Sequence, residues 1–234
     1  MDINKLLFTG VAIDRIMEFM KHPAHLKDSK NGKYLCTNKI NLDFFNLKSP
    51  NQLIGHTLKD IDTFMNPYWG AKFANDVEEL EYNALHKKER VIGGKHTILL
   101  PSGKIIIQQM EKMPIIDGNG KTSSILTVSR QDLTNELSLF ELYQLYKKYY
   151  SCKRQVIGKF LQHIGLDKHF TQQPTEGELR VLLARRIYSS HKDVGNALNL
   201  ASKTVEMYAS QLADKIPNHN LSMIITLIRD LRVY

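Results

Sequence analysis

A chain of 234 residues allows one large domain or two small ones, and 42% hydrophobic with 24% charged residues suffices for packed cores in water. The formal net charge is +8; Lys and Arg exceed Asp and Glu by 18 to 15 over residues 1–132, 6 to 3 over 133–170 and 8 to 6 over 171–234, so charge alone fits nucleic acid or an acidic surface and locates neither. Two cysteines in different segments, Cys36 and Cys152, exclude a disulfide framework and zinc-ligand spacing, and no run reaches the ~18 apolar residues of a membrane span.

The short apolar run Leu6–Ile13 is broken by Thr9 and Gly10 and lacks a small-residue cleavage site, so no signal peptide is expected and the setting is read as cytoplasmic. Asn31-Gly32 between the segments Ala24–Ser29 and Lys33–Thr37 predicts a hairpin. Asn41–Asn46 predicts a short helix, and Ser49-Pro50 starts another that Gly55 ends. A long helix is expected from Gly70 to Arg90, with Phe73, Val77, Leu80, Ala84 and Leu85 at three-to-four spacing and Gly93-Gly94 as its stop. Strands follow at Thr97–Leu100 and Lys104–Met110, the latter continuing towards Ile116, around the turn Pro101-Ser102-Gly103. Asp117-Gly118-Asn119-Gly120 leads into a last strand, Ser123–Arg130.

Over residues 16–132 this order resembles a PAS domain. The Asn31-Gly32 hairpin, the Asn38–Phe45 segment, the turn Leu53-Ile54-Gly55-His56-Thr57 and the Gly94–Arg130 strands carry the resemblance. It implies a five-stranded antiparallel sheet with helices on one face, and a sensing or dimerisation role. It also implies a small-molecule ligand or haem as possible occupants. Tyr68, Trp69 and Phe73 are candidates to line a small apolar pocket, with core packing as the plainer reading. For haem, His86 on the long helix is the candidate ligand, although a lone histidine there reads first as a surface residue. The expected resident cofactor is none.

Residues 133–170 read as a helical linker. Leu133, Leu137, Phe140, Leu142, Leu145, Tyr146 and Tyr149 begin a stripe without a clean heptad. A coiled-coil dimer connector and an amphipathic helix packed on its own domain both fit.

From Thr171 the chain is helical with a tight turn. Val194 and Leu198 lie four apart on one helix; Val205 and Leu212 lie seven apart on the next, sharing its inner face. Asn199-Leu200-Ala201 separates the two helices, and Ser202 is expected as the second helix's N-cap. Mid-helix Gly195 costs about 1 kcal/mol relative to alanine, which close approach by a neighbour would offset. The outer face then carries Lys203, Glu206, Met207, Ser210 and Gln211, a set suited to the major groove.

Residues Thr175–Asp230 are similar to the LuxR/GerE output domain. The matching residues are Thr175, Glu178, Val181, Leu182, Ser190, Lys192, Val194, Leu198, Lys203, Thr204, Val205, Leu212 and Lys215, without gaps from Glu178 to Lys215. The chain departs from the pattern at Tyr188 (usually glycine), Ala201 (usually serine), Glu206 (often basic) and Tyr208 (commonly histidine). The resemblance implies binding to double-stranded DNA through Lys192, Ser202, Lys203, Thr204, Glu206, Met207, Ser210, Gln211 and Lys215. Glu206 would read a cytosine amino group or weaken affinity for the anionic backbone. The last helix, Leu221–Leu231, would pack on the turn and offer a seam to a homodimer.

No Walker loop, GxSxG elbow, HExxH or GxGxxG is present, so no enzyme is expected. The expected fold is α+β: a PAS-like antiparallel sheet with helices at 1–132, a helical linker at 133–170 and an all-α LuxR-type helix-turn-helix at 171–234. The expected function is DNA-binding regulation coupled to sensory input, with no membrane contact. The competing reading is a PAS signalling protein whose helical tail binds a protein partner.

Overall fold

The computed structural model describes residues 13, 15–69, 72–130 and 133–231. The chain divides into two compact units, Met1–Leu133 and Thr134–Tyr234.

The first unit is a five-stranded antiparallel sheet in the order β2-β1-β5-β4-β3, with strands Ala24–Asp28 (β1), Tyr34–Thr37 (β2), Val91–Leu99 (β3), Ile105–Ile116 (β4) and Thr122–Arg130 (β5). The Asn31-Gly32 hairpin forms as the sequence predicts, and Gly32 supplies the left-handed φ of +67° that the turn requires. Between β2 and β3 run three helices, Lys39–Phe44 (α1), Leu58–Trp69 (α2) and Phe73–Lys87 (α3). The Asn38 side chain accepts from the Asn41 N–H to cap α1, and also accepts from the Ala24 N–H, tying the helix to β1.

Two sequence expectations change here. The long helix does not run from Gly70 to Arg90. It starts at Phe73 and ends at Lys87, and a separate helix, α2, precedes it. Thr57 and Asp60 start α2 reciprocally: the Asp60 carboxylate accepts from the Thr57 N–H at 2.7 Å, and the Thr57 hydroxyl accepts from the Asp60 N–H. Gly93-Gly94 do not stop the helix; they lie in β3, where its pairing with β4 shifts register between Ile92 and Lys95. A Cβ on Gly93 would meet the Leu80 side chain at 2.9 Å, so α3 rests directly on this part of the sheet. The core between sheet and helices includes Leu53, Ile61, Met65, Val77, Ile98, Ile106 and Met110.

The second unit is all helix: Leu139–Tyr149 (α4), Lys153–His163 (α5), Glu176–Arg185 (α6), His191–Leu198 (α7), Ser202–Asp214 (α8) and Leu221–Asp230 (α9). The stretch read as a linker is thus two helices with a break at Ser151-Cys152, within the same compact unit as the last four. Its apolar stripe is used inside that unit. Leu142 and Tyr146 are fully buried, and the Tyr143 and Tyr146 rings meet Phe160 edge-on. Lys147 and Lys153 both pair with Glu176 at the start of α6. In α9, Ile224, Ile225 and Ile228 are buried within the unit, which leaves Met223 as the one large apolar side chain exposed among the helix's described residues.

Candidate nucleic-acid interface

Helix α6 starts on a capping box in which the Thr175 hydroxyl accepts from the Glu178 N–H and the Glu178 carboxylate accepts from the Thr175 N–H. Ser190 caps α7 by accepting from the Asp193 N–H. Helix α7 ends at Asn199, whose φ of +56° turns the chain left-handed, a conformation asparagine tolerates. The Leu200 N–H then donates back to the Gly195 carbonyl at 2.8 Å. A Cβ on Gly195 would stand 2.6 Å from the Leu200 carbonyl oxygen. The glycine is therefore required by the turn folding onto α7, not by a neighbouring helix.

The N-cap of α8 is Ala201, and Ser202 is the first helical residue. The expectation that Ser202 caps the helix is corrected. The chain leaves the turn one residue earlier, and no side-chain hydroxyl serves the first-turn N–H groups. Val205, Ala209 and Leu212 face inward; Val205 joins Val181, Ala184 and Val194 in a core flanked by Leu198, Leu200 and Tyr208. Tyr208 fills the space over Gly177, where a Cβ would lie 2.7 Å from its ring. The residue usually a histidine in the resembled pattern is here a packing residue matched to a glycine.

The helical period then fixes the opposite face. Lys203, Glu206, Met207, Ser210 and Gln211 are all exposed, at the i, i+3, i+4, i+7, i+8 spacing of one stripe. Ser202 is exposed at the helix start, Thr204 is half-buried beside it, and Lys192 is exposed in the first turn of α7. Lys215 is placed differently. Its ammonium donates to both carboxylate oxygens of buried Glu178, at 2.9 and 2.7 Å, and so ties the end of α8 to the start of α6. The structure thus brings together eight of the nine sequence-predicted residues on or beside α8 and the start of α7, and commits the ninth to an internal ion pair.

In the first unit, Trp69 stacks on Phe73 at 4.8 Å and donates from Nε1 to Asp62 at 2.7 Å; both rings belong to the core. The side chain of Tyr68 lies outside the described residues. His86 is exposed on α3 against Tyr82. Among the described residues no group of three or more His, Cys, Asp or Glu could hold a metal ion, and no helix is long and apolar enough to cross a membrane.

Sequence reasoning missed a buried polar group on the covered face of this sheet. Lys27 and Lys112, fully enclosed, both donate to the same oxygen of Glu81 on α3 at 2.7 Å. Burial and the neighbouring lysines hold the imidazole of His25 well below its usual range. Burial and the Glu81 carboxylate push the Tyr34 phenol up. The only trace in the sequence is the placement of Lys27 and Lys112 at inward strand positions.

The two units define a class: an α+β chain with a five-stranded antiparallel sheet under helices, followed by an all-helical unit containing a helix-turn-helix. No protein-family model and no curated protein matches the sequence. Solved structures do. The chain is similar to VqmA of Vibrio cholerae in a ligand and DNA complex, at 19% identity over 94% of this chain and 86% of that one, with a TM-score of 0.44. It is similar to a phage VqmA in complex with DPO, at 14% identity over 98% and 93%, TM-score 0.45. It is also similar to the PAS domain of Bordetella pertussis BvgS, at 19% identity over 62% and 98%, TM-score 0.45. At these scores the likeness is loose, and the fold is defined by the chain's own sheet order and helix register.

Proposed function

We propose that the chain is a transcriptional regulator of LuxR type. In this reading α8 enters the major groove of double-stranded DNA, and the sheet unit receives the signal. The observation that carries the reading is the division of α8. One face is closed into the core through Val205, Ala209 and Leu212, and the other is an exposed stripe of Lys203, Glu206, Met207, Ser210 and Gln211. The major groove is about 12 Å wide and admits such a helix. Lysine suits guanine or phosphate and glutamine suits adenine, while the uncapped first turn of α8 offers N–H groups to phosphate.

The regulator acts without enzymatic chemistry, in the cytoplasm, as a homodimer whose two α8 helices lie about one DNA turn apart, roughly 34 Å. The sheet unit takes a small-molecule ligand rather than haem. Capture of fragmented host genomic DNA by the purified chain tests the reading. A small set of fragments recovered by the wild type and lost with Lys203→Glu is expected. Recovery of the same fragments by both would place DNA binding elsewhere. Retention of a host protein with no DNA would favour the competing reading of a partner-binding tail.

A further inference from the structure

The covered face of the sheet in the first unit holds a set of buried groups whose hydrogen bonds and charges do not close. Lys27 and Lys112 share one carboxylate, Glu81, which leaves an excess of one positive charge in an enclosed site. Burying an unmatched charge is costly. Beside them, the Nε2 of His25 and the hydroxyl of Thr127 are buried with no hydrogen-bond partner. Register brings these groups together. Thr127 on β5 is paired with His25 on β1 and with Lys112 on β4, so the three stand in one row on one face. Lys27 lies two residues along β1 from His25, hence on the same face, with its ammonium 4.6 Å from the Tyr34 ring centroid. Two ammoniums are donors, and the Thr127 hydroxyl and the neutral His25 imidazole can each donate one hydrogen. What would satisfy them together is an anion with two acceptor oxygens.

We propose that this cluster is the ligand site of the sheet unit and takes a small monocarboxylate, held by Lys27 and Lys112 with Thr127 and His25 donating to its oxygens. The proposal rests on the reading of this unit as the sensor. It moves the site from the Trp69–Phe73 stack to the sheet. Anion binding here is linked to pH through Lys112, whose ammonium is brought down to about 8 by burial, with Lys27 adding to this and Glu81 opposing it. The other groups facing the site titrate outside that window in the directions given: His25 from β1 is pushed down, Tyr34 from β2 up, and Glu81 from α3 down. Lys27 completes the ring of facing charges.

Calorimetric titration of the full chain with sodium acetate at constant ionic strength, without DNA, tests the site; sodium chloride is the parallel arm. Saturable one-to-one binding of acetate is expected, weakening as pH rises through about 8. Thr127→Val, which exchanges a hydroxyl for a methyl of the same shape, should weaken it about ten-fold. Lys112→Met should abolish it. Non-saturable heats, equal binding of chloride, or acetate binding unchanged in Thr127→Val would each overturn the proposal. Since no DNA is present, a chain that fails to bind acetate can still prove a DNA-binding regulator, and the reverse.

Discussion

Lys215 shows how a basic residue at the end of a helix with an exposed polar face can be spent on architecture. Its ammonium is the counter-charge of Glu178, whose carboxylate is almost entirely enclosed and also accepts from the Thr175 N–H. Removing one partner of such a pair leaves a buried charge, at a cost of about 3 kcal/mol. Lys215→Met should therefore lower the unfolding free energy of the helical unit, read from urea denaturation, by that amount, and adding Glu178→Gln should restore most of it. A Lys215→Met chain as stable as wild type would show that Glu178 is solvated. Ala201 makes the opposite case. It holds extended N-cap geometry, φ −64° and ψ 142°, without a hydroxyl. Ala201→Ser should stabilise the unit by about 1 kcal/mol in the same assay. Glu206 stands in the exposed stripe, and in the proposed complex it faces an anionic partner. Glu206→Gln should raise affinity for DNA several-fold at low salt, and no change would remove Glu206 from the interface.

Among the elements, those with a local chemical cause were legible in the sequence. The Asn-Gly turn, the Pro-Ser-Gly and Asp-Gly-Asn-Gly turns, and the helix-turn-helix spacing each occur where the residues dictate. Helix α2 was not legible, because Pro67 lies within it and proline normally ends a helix; reciprocal bonds between Thr57 and Asp60 start it nonetheless. The stripe of α4 was visible, but its partner was not: period alone cannot say whether Tyr143 and Tyr146 meet another chain or, as here, Phe160 of α5. The outward face of α8 was readable because burial of Val205 and Leu212 fixes it. The charged cluster under the sheet was not, because it is assembled across β1, β4 and α3 from distant residues. Strand β1 also carries a pH prediction. His25 has a folded pKa below its unfolded value of 6.5, so the unfolded chain takes up a proton that the folded chain resists. The contribution of His25 is fully present above about 6.5 and is lost as pH falls below it. Between pH 7.5 and 5 the urea midpoint of the sheet unit should fall more steeply in the wild type than in His25→Gln. Parallel slopes would mean His25 is accessible to protons when folded.

For the molecule as a whole, a sheet unit with a buried charged cluster precedes a helical unit with an exposed polar stripe on α8, and the proposed regulation would require the first to alter the second. The central claim is that α8 of this chain touches DNA, and the most direct test is the salt dependence of affinity for a captured fragment. Phosphate contacts release counterions, so log affinity should fall linearly and steeply with log salt for the full chain. Lys203→Glu should weaken binding at every salt concentration and make the slope shallower by about one. An affinity indifferent to salt, or a slope and affinity unchanged by Lys203→Glu, would contradict the account.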